Sequence, residues 1–170
     1  EINRVLTDQI SDLLFTTERQ AGANLQREGI DAARIRFVGN VMIDTLQRCL
    51  PQAPRAEEVL RQFEQPADFL GEGSGFGLLI LHRPANVDDP AVLEGLVTAL
   101  LSISERTPLV FSVHHRSRTR LAQSGLEKRL QGARILCLPP LGYLEMLGLM
   151  STAQMVLTDS GGIQEESMVL

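Results

Sequence analysis

Cysteine is scarce in this sequence: Cys49 and Cys137 are the only two among 170 residues. They stand too far apart for a metal or redox spacing motif and cannot build a disulfide framework, so a reduced intracellular pair is the default. Long apolar runs are missing as well. No stretch approaches the roughly 18 uninterrupted apolar residues of a membrane span, and the chain opens with Glu1, Asn3 and Arg4 rather than a basic start followed by an apolar run, which excludes a recognisable signal peptide. A cytoplasmic protein that does not engage membranes is expected. Cationic excess is lacking too: 16 Lys and Arg against 21 Asp and Glu leave a net charge of −5, which argues against nucleic acid as the main partner. Arg116, Arg118 and Arg120 form the densest basic run, read as a solvated loop after a strand. Low-complexity tracts are absent.

What is present is the composition of an ordinary folded domain, 44% hydrophobic and 22% charged, enough for one sizeable core. Ile2, Val5, Leu6 and Ile10 recur at helical spacing from Glu1 to about Ile10, and Asp12 to Thr16 reads as a short buried strand. Thr17 is the expected N-cap of a second helix, with Glu18 in its first turn and Gly29 as its stop. Arg34 to Val38 is the next strand, and Val41 to about Leu50 the next helix. The order helix, strand, helix, strand places parallel strands in a sheet covered by helices.

Gly39 and Asn40 break the pattern, and a domain boundary is placed near Gly39. Pro51, Pro54 and Pro66 with Gly71, Gly73, Gly75 and Gly77 mark irregular chain. From there one unit repeats: strands Phe76–Leu81, Leu109–Val113, Ile135–Leu138 and Met155–Leu157 alternate with helices Ala91–Ser104, Ser117–Leu130, Leu141–Met150 and one from Gly162. This is a doubly wound, Rossmann-like α/β domain. The sequence begins inside one helical pattern and stops at Leu170 inside another, as a piece of a longer protein would.

In open α/β sheets ligands bind beyond the carboxyl ends of the strands. The residues there are polar: His82 and Arg83, then His114 and His115, then Thr158, Asp159 and Ser160. The sharpest segment is Thr158-Asp159-Ser160-Gly161-Gly162-Ile163-Gln164-Glu165-Glu166. Its two glycines remove Cβ atoms where a strand turns into a helix, so a phosphate can approach exposed N–H groups, and Ser160 adds a hydroxyl. The helix dipole favours an anion there. Glu166, one turn further in, can accept hydrogen bonds from paired sugar hydroxyls. A bare Ser-Gly-Gly turn would be an ordinary strand-to-helix connection; a lone strand-end histidine such as His82 would serve only its own backbone.

The nine-residue string as a whole resembles the signature of the non-hydrolysing UDP-N-acetylglucosamine 2-epimerases, and the similarity runs along the chain. Glu1-Ile2-Asn3-Arg4 with Asp8 is similar to the family's Glu-x-Asn-Arg segment, and Asn24-Leu25 with Glu28-Gly29-Ile30 resembles its next helix end. Val38-Gly39-Asn40 with Asp44 resembles the crossing between its two domains, and His82-Arg83 its His-Arg-x-Glu-Asn motif. The resemblance implies two facing Rossmann-like domains of the glycosyltransferase B type, with residues 1–39 ending the first, 40–75 the crossover and linker, and 76–170 most of the nucleotide-binding second. It implies interconversion of UDP-N-acetylglucosamine and UDP-N-acetylmannosamine by elimination and re-addition of UDP, without cofactor or metal, in a homodimeric parent protein of cell-envelope sugar supply. Carried over by position, Ser160, Gly161, Gly162, Glu166 and Arg83 bind the substrate, and His82 assists the departing diphosphate. His114 matches a histidine associated with a regulatory ligand.

Two positions depart from the pattern. Ala85 stands where the family has Glu, and Met146 where it places an aromatic side chain against uracil, though Met can pack on a base edge. The family's acid and base carboxylates align upstream of Glu1, so the 170-residue chain by itself is expected to be inactive or nearly so. Competing expectations are a glycosyltransferase of the same architecture and a non-catalytic UDP-sugar-binding module.

Overall fold

Helical and strand periodicities alternate from the first residue, and the computed structural model, which describes residues 1–70 and 75–170, forms its elements in that order. The chain divides into two units, Glu1–Arg48 and Cys49–Leu170.

In the first unit, helix α1 (Ile2–Ile10) leads to strand β1 (Leu14–Thr16), helix α2 (Arg19–Arg27), strand β2 (Ile35–Phe37) and helix α3 (Val41–Cys49). The strands are parallel, with Leu14 opposite Ile35 and Thr16 opposite Phe37. Leu14, Leu25 and Ile30 form a small core with Ile35 against it. Thr17 does not cap α2. It lies in the bend leaving β1, and extended Glu18 holds the cap position without a side-chain bond. Gly29, at φ 89°, closes the helix as expected, with Ile30 N–H returning to the Leu25 carbonyl. Arg4 joins Glu1, Asp8 and Glu28 in one cluster.

After a 3-10 turn at Leu50–Gln52, the second unit holds a helix that reading Pro51 to Gly77 as irregular chain misses: α4 (Ala56–Gln62), with Val59 and Leu60 fully buried. Pro54 stands before the helix instead of breaking it, and the Glu58 carboxylate accepts from the Arg55 N–H to close the first turn. Gly71 and Gly73 of that stretch lie outside the described residues.

Then follow strand β3 (Gly77–Ile80), helices α5 (Pro84–Val87) and α6 (Pro90–Ser104), strand β4 (Leu109–Ser112), helices α7 (His115–Gln123) and α8 (Glu127–Gln131), strand β5 (Ile135–Leu138), helix α9 (Tyr143–Met150), strand β6 (Met155–Thr158) and helix α10 (Gly161–Ser167). All four strands are parallel in the order β5-β4-β3-β6. Every residue of β3 and β4 is buried, as central strands covered on both faces require. Leu79, Phe111 and Ile135 pack with Leu93, Val97 and Leu100 of α6 and Leu121 of α7 in one core.

The single helix expected over Ser117–Leu130 is two. Gly125 takes φ 69°, which ends α7 and restarts the chain as α8. Arg116 and Arg120 therefore lie on a helix and not in a loop, one turn apart, and both face the Asp88 carboxylate, Arg120 Nε at 3.0 Å and Arg116 Nη1 at 3.8 Å.

Helix α9 packs on α4, and at Gly148 an added Cβ would run into the carbonyl oxygen of Pro54, two residues ahead of α4. That oxygen is backbone and cannot swing away. Gly148→Ala is expected to destabilise the chain by about 2 kcal/mol through forced separation of this packing, measured as a lower urea midpoint at unchanged slope. A midpoint equal to the parent's would show the contact to be loose. Among the described residues no helix is long and apolar enough to cross a membrane, and no group of His, Cys, Asp and Glu is arranged to hold a metal ion. Cys49 and Cys137 are free thiols.

Candidate functional site

The strand order sets where the site falls. The chain winds outward from β3 through β4 to β5, then crosses back to place β6 on the other side of β3. The switch point is thus between the carboxyl ends of β3 and β6, where a crevice opens in a doubly wound sheet. The first end carries His82 and Arg83 and the second Asp159, Ser160 and Gly161. The structure brings the two predicted segments to the same place.

Asp159 ties them together. Its side chain is 7% exposed, and its carboxylate accepts from the backbone N–H of His82 at 3.1 Å and of Arg83 at 2.8 Å. It also accepts from the Asn86 amide at 3.0 Å. His82 Nδ1 lies 3.0 Å from Asp159 Oδ1. The loop after β3 thereby closes on the end of β6 through one carboxylate, which also holds the first turn of α5. Burial alone would raise the Asp159 pKa. The hydrogen bonds from the Arg83 backbone, the Asn86 side chain and the His82 backbone outweigh it, and the net shift is downward. An ionised carboxylate at Nδ1 places the imidazole proton there and leaves Nε2 for a ligand. The His82 side chain is 39% exposed.

Arg83 is anchored at the same junction. Its Nε donates to the Asp159 carbonyl at 2.6 Å, which lays the guanidinium beside the Ser-Gly-Gly bend: Nη2 stands 3.9 Å from where a Gly161 Cβ would project. Ser160 caps α10, accepting from the Ile163 N–H at 3.5 Å, while its own N–H donates to Thr158 Oγ1 at 3.0 Å. Gly161 and Gly162 form the first turn of α10. Gly161 is not among the positive-φ residues, so a left-handed conformation is not the reason for glycine there. A cation and a helix start face the same small volume, the arrangement a phosphate requires.

Glu166 lies further along α10, and Tyr143 Oη donates to its Oε1 at 3.0 Å. The bond joins α10 to the first residue of α9. Met146 is half-buried one turn further along α9. His114 caps α7, its Nδ1 accepting from the Arg116 N–H at 3.4 Å. Its ring centroid is 6.1 Å from that of His82 and 3.8 Å from that of His115. Burial lowers its pKa, and His115, His82 and Arg116 lower it further, so it is neutral near pH 7. Ala85 is exposed on α5. The histidines after β3 and β4 are thus neighbours, and only His82 engages Asp159.

Sequence reasoning overlooked three contributors: Asp159, given no role beyond its place in the string, Asn86 and Tyr143. For Asp159 a signal existed, since a short acid directly after an apolar strand faces the neighbouring strand's end.

Residues 1–170 match a family model described as UDP-N-acetylglucosamine 2-epimerase. The chain is 39% identical over 173 residues to the UDP-N-acetylglucosamine 2-epimerase of Methanocaldococcus jannaschii, covering 100% of this chain and 46% of that protein. It is 41% identical over 170 residues to the UDP-2,3-diacetamido-2,3-dideoxy-D-glucuronate 2-epimerase of Pseudomonas aeruginosa, covering 98% and 44%. The crystal structure of the M. jannaschii UDP-GlcNAc 2-epimerase in complex with UDP-GlcNAc and UDP aligns with a TM-score of 0.82 at 41% identity over 98% of this chain and 45% of that one. The chain spans less than half the length of these relatives.

Proposed function

Because this chain belongs to the UDP-N-acetylglucosamine 2-epimerase family, we propose that its parent protein inverts C2 of a UDP-linked 2-acetamido sugar and that residues 76–170 supply the UDP-binding half of the site. The observation that carries this reading is the meeting of His82, Arg83 and the Ser160-Gly161-Gly162 bend at the sheet's switch point. The diphosphate lies against the first turn of α10 and the Arg83 guanidinium, and Glu166 accepts from the ribose hydroxyls. Met146 packs on the edge of uracil, and His114 contacts a second, regulatory nucleotide sugar.

In the reaction a base takes the proton from C2, the C1–O bond breaks, and UDP departs to leave a 2-acetamidoglucal. UDP then re-adds after C2 is protonated on its other face. With both ring nitrogens protonated, His82 donates its Nε2–H to the oxygen on which charge grows as UDP leaves, while Asp159 holds the Nδ1–H behind it. The two relatives act on different hexosamines but both carry UDP in their names. The UDP moiety is therefore the part of the substrate common to both.

The acid and base for C2 belong to segments outside these 170 residues. At the crevice Asp159 is engaged by three donors besides His82 Nδ1, and Glu166 is held by Tyr143. Neither is free to take a carbon-bound proton. The expected outcome for the purified chain is UDP binding by titration calorimetry without epimer formation by NMR of the sugar anomeric protons. Absence of UDP binding would overturn the assignment of the half-site, and appearance of the manno epimer would overturn the assignment of the base. A homodimeric, cytoplasmic parent of envelope-sugar supply, with residues 1–39 closing a first domain and 40–75 the crossover, completes the proposal.

A further inference from the structure

Tyr143 is the only tyrosine of the chain, and the residue is 41% exposed, outside the buried core. It stands at the first position of α9, after the Gly142 cap. From there its hydroxyl reaches across 23 residues of sequence to Glu166 Oε1 at 3.0 Å. A glutamate side chain has three rotatable bonds and on an exposed helix samples many positions. Here one carboxylate oxygen is occupied by a phenol O–H, while Oε2 has no such partner from Tyr143 and keeps its acceptor capacity.

We propose that Tyr143 is a positioning residue of the nucleotide half-site: by occupying Oε1 it fixes the Glu166 carboxylate so that Oε2 meets the ligand's ribose hydroxyls. The inference rests on the UDP reading above. It assigns to a residue without ligand contact of its own the orientation of the group that distinguishes a ribose from a deoxyribose. The direction of the bond is settled by acidity. Shielding of the hydroxyl, with the Glu166 carboxylate next in effect, pushes the phenol up to about 12, so at neutral pH the phenol is the donor and the carboxylate the acceptor. A carboxylate that already accepts one strong hydrogen bond also has less entropy to lose when a ligand arrives.

The test is calorimetric titration of the parent chain, Tyr143→Phe and Glu166→Gln with UDP and with 2′-deoxy-UDP. The parent should prefer UDP. Tyr143→Phe, which keeps the ring and removes only the hydroxyl, should bind UDP about tenfold more weakly, with 2′-deoxy-UDP, which retains one ribose hydroxyl, weakened less and the thermal midpoint unchanged, so that the preference narrows as it does in Glu166→Gln. Full preference retained in Tyr143→Phe overturns the positioning role while leaving the UDP reading standing. Equal binding of both nucleotides by the parent overturns it too, because Glu166 then does not read the ribose. A parent that binds neither nucleotide removes the UDP reading, and the inference with it.

Discussion

Asp159→Ala is expected to destabilise the chain by about 3 kcal/mol, because it leaves the His82 and Arg83 amides and the Asn86 side chain without their acceptor in a buried place. The removed group is small, so the cost is one of lost hydrogen bonds and not of a cavity. Asp159→Asn should recover little, since one of its two terminal atoms becomes a donor facing donors. The pH dependence has a definite sign. Asp159 is held below its ordinary value of 3.8, so its contribution to stability is complete above that value and is lost as pH falls through the lower, folded one. The parent should therefore lose stability below pH 3.8 more steeply than Asp159→Ala, by urea unfolding followed across that range. An Ala variant as stable as the parent, or parallel acid limbs, would show that the loop after β3 is held by something other than this carboxylate. The consequence for chemistry follows from the same bonds: without Asp159 the His82 ring has no fixed tautomer.

How much of this was legible beforehand differs between elements for physical reasons. Short runs rich in apolar residues and bounded by glycine, proline or polar residues placed the six strands among the described residues; the buried continuous run is the reason for β3 and β4, covered at every residue, whereas β2 carries Arg36 at its centre and is exposed over its last two residues. Prolines misled between Pro51 and Pro66, where helix α4 (Ala56–Gln62) forms two residues after Pro54, because a proline just ahead of a helix removes no N–H that the helix needs. The break at Gly125 had a local signal in Ser124-Gly125, overridden by the continuous apolar stripe through Leu121, Leu126 and Leu130. The site divided likewise. His82, Arg83 and Ser160 were visible as polar residues at strand ends, whereas the Asp159 bonds link residues 73 to 77 positions apart. The Tyr143–Glu166 pair joins two helices through side chains alone, and no local pattern encodes that. The basic run at Arg116 and Arg120 was read as solvated because its partner, Asp88, sits 28 and 32 residues upstream.

Gly161→Val separates the phosphate proposal from folding more cleanly than any other substitution at the site. Gly161 opens α10 in the right-handed region, and the nearest atom to an added Cβ is Arg83 Nη2 at 3.9 Å, an ordinary contact with the end of a flexible side chain. Valine is tolerated in helices at least as well as glycine, so the stability change should stay within about 1 kcal/mol. For a phosphate the same position is decisive. Two methyl groups then stand over the first turn of α10, holding the anion away from the N–H groups and wedging aside the Arg83 guanidinium, and UDP affinity should fall by about 100-fold. Gly161→Ala, with a single methyl, should fall in between. Thermal unfolding run beside each titration shows whether the fold survived. A Val variant that folds like the parent and binds UDP like the parent would place the diphosphate elsewhere on the sheet, and neither Arg83 nor the helix start could then be its receptor.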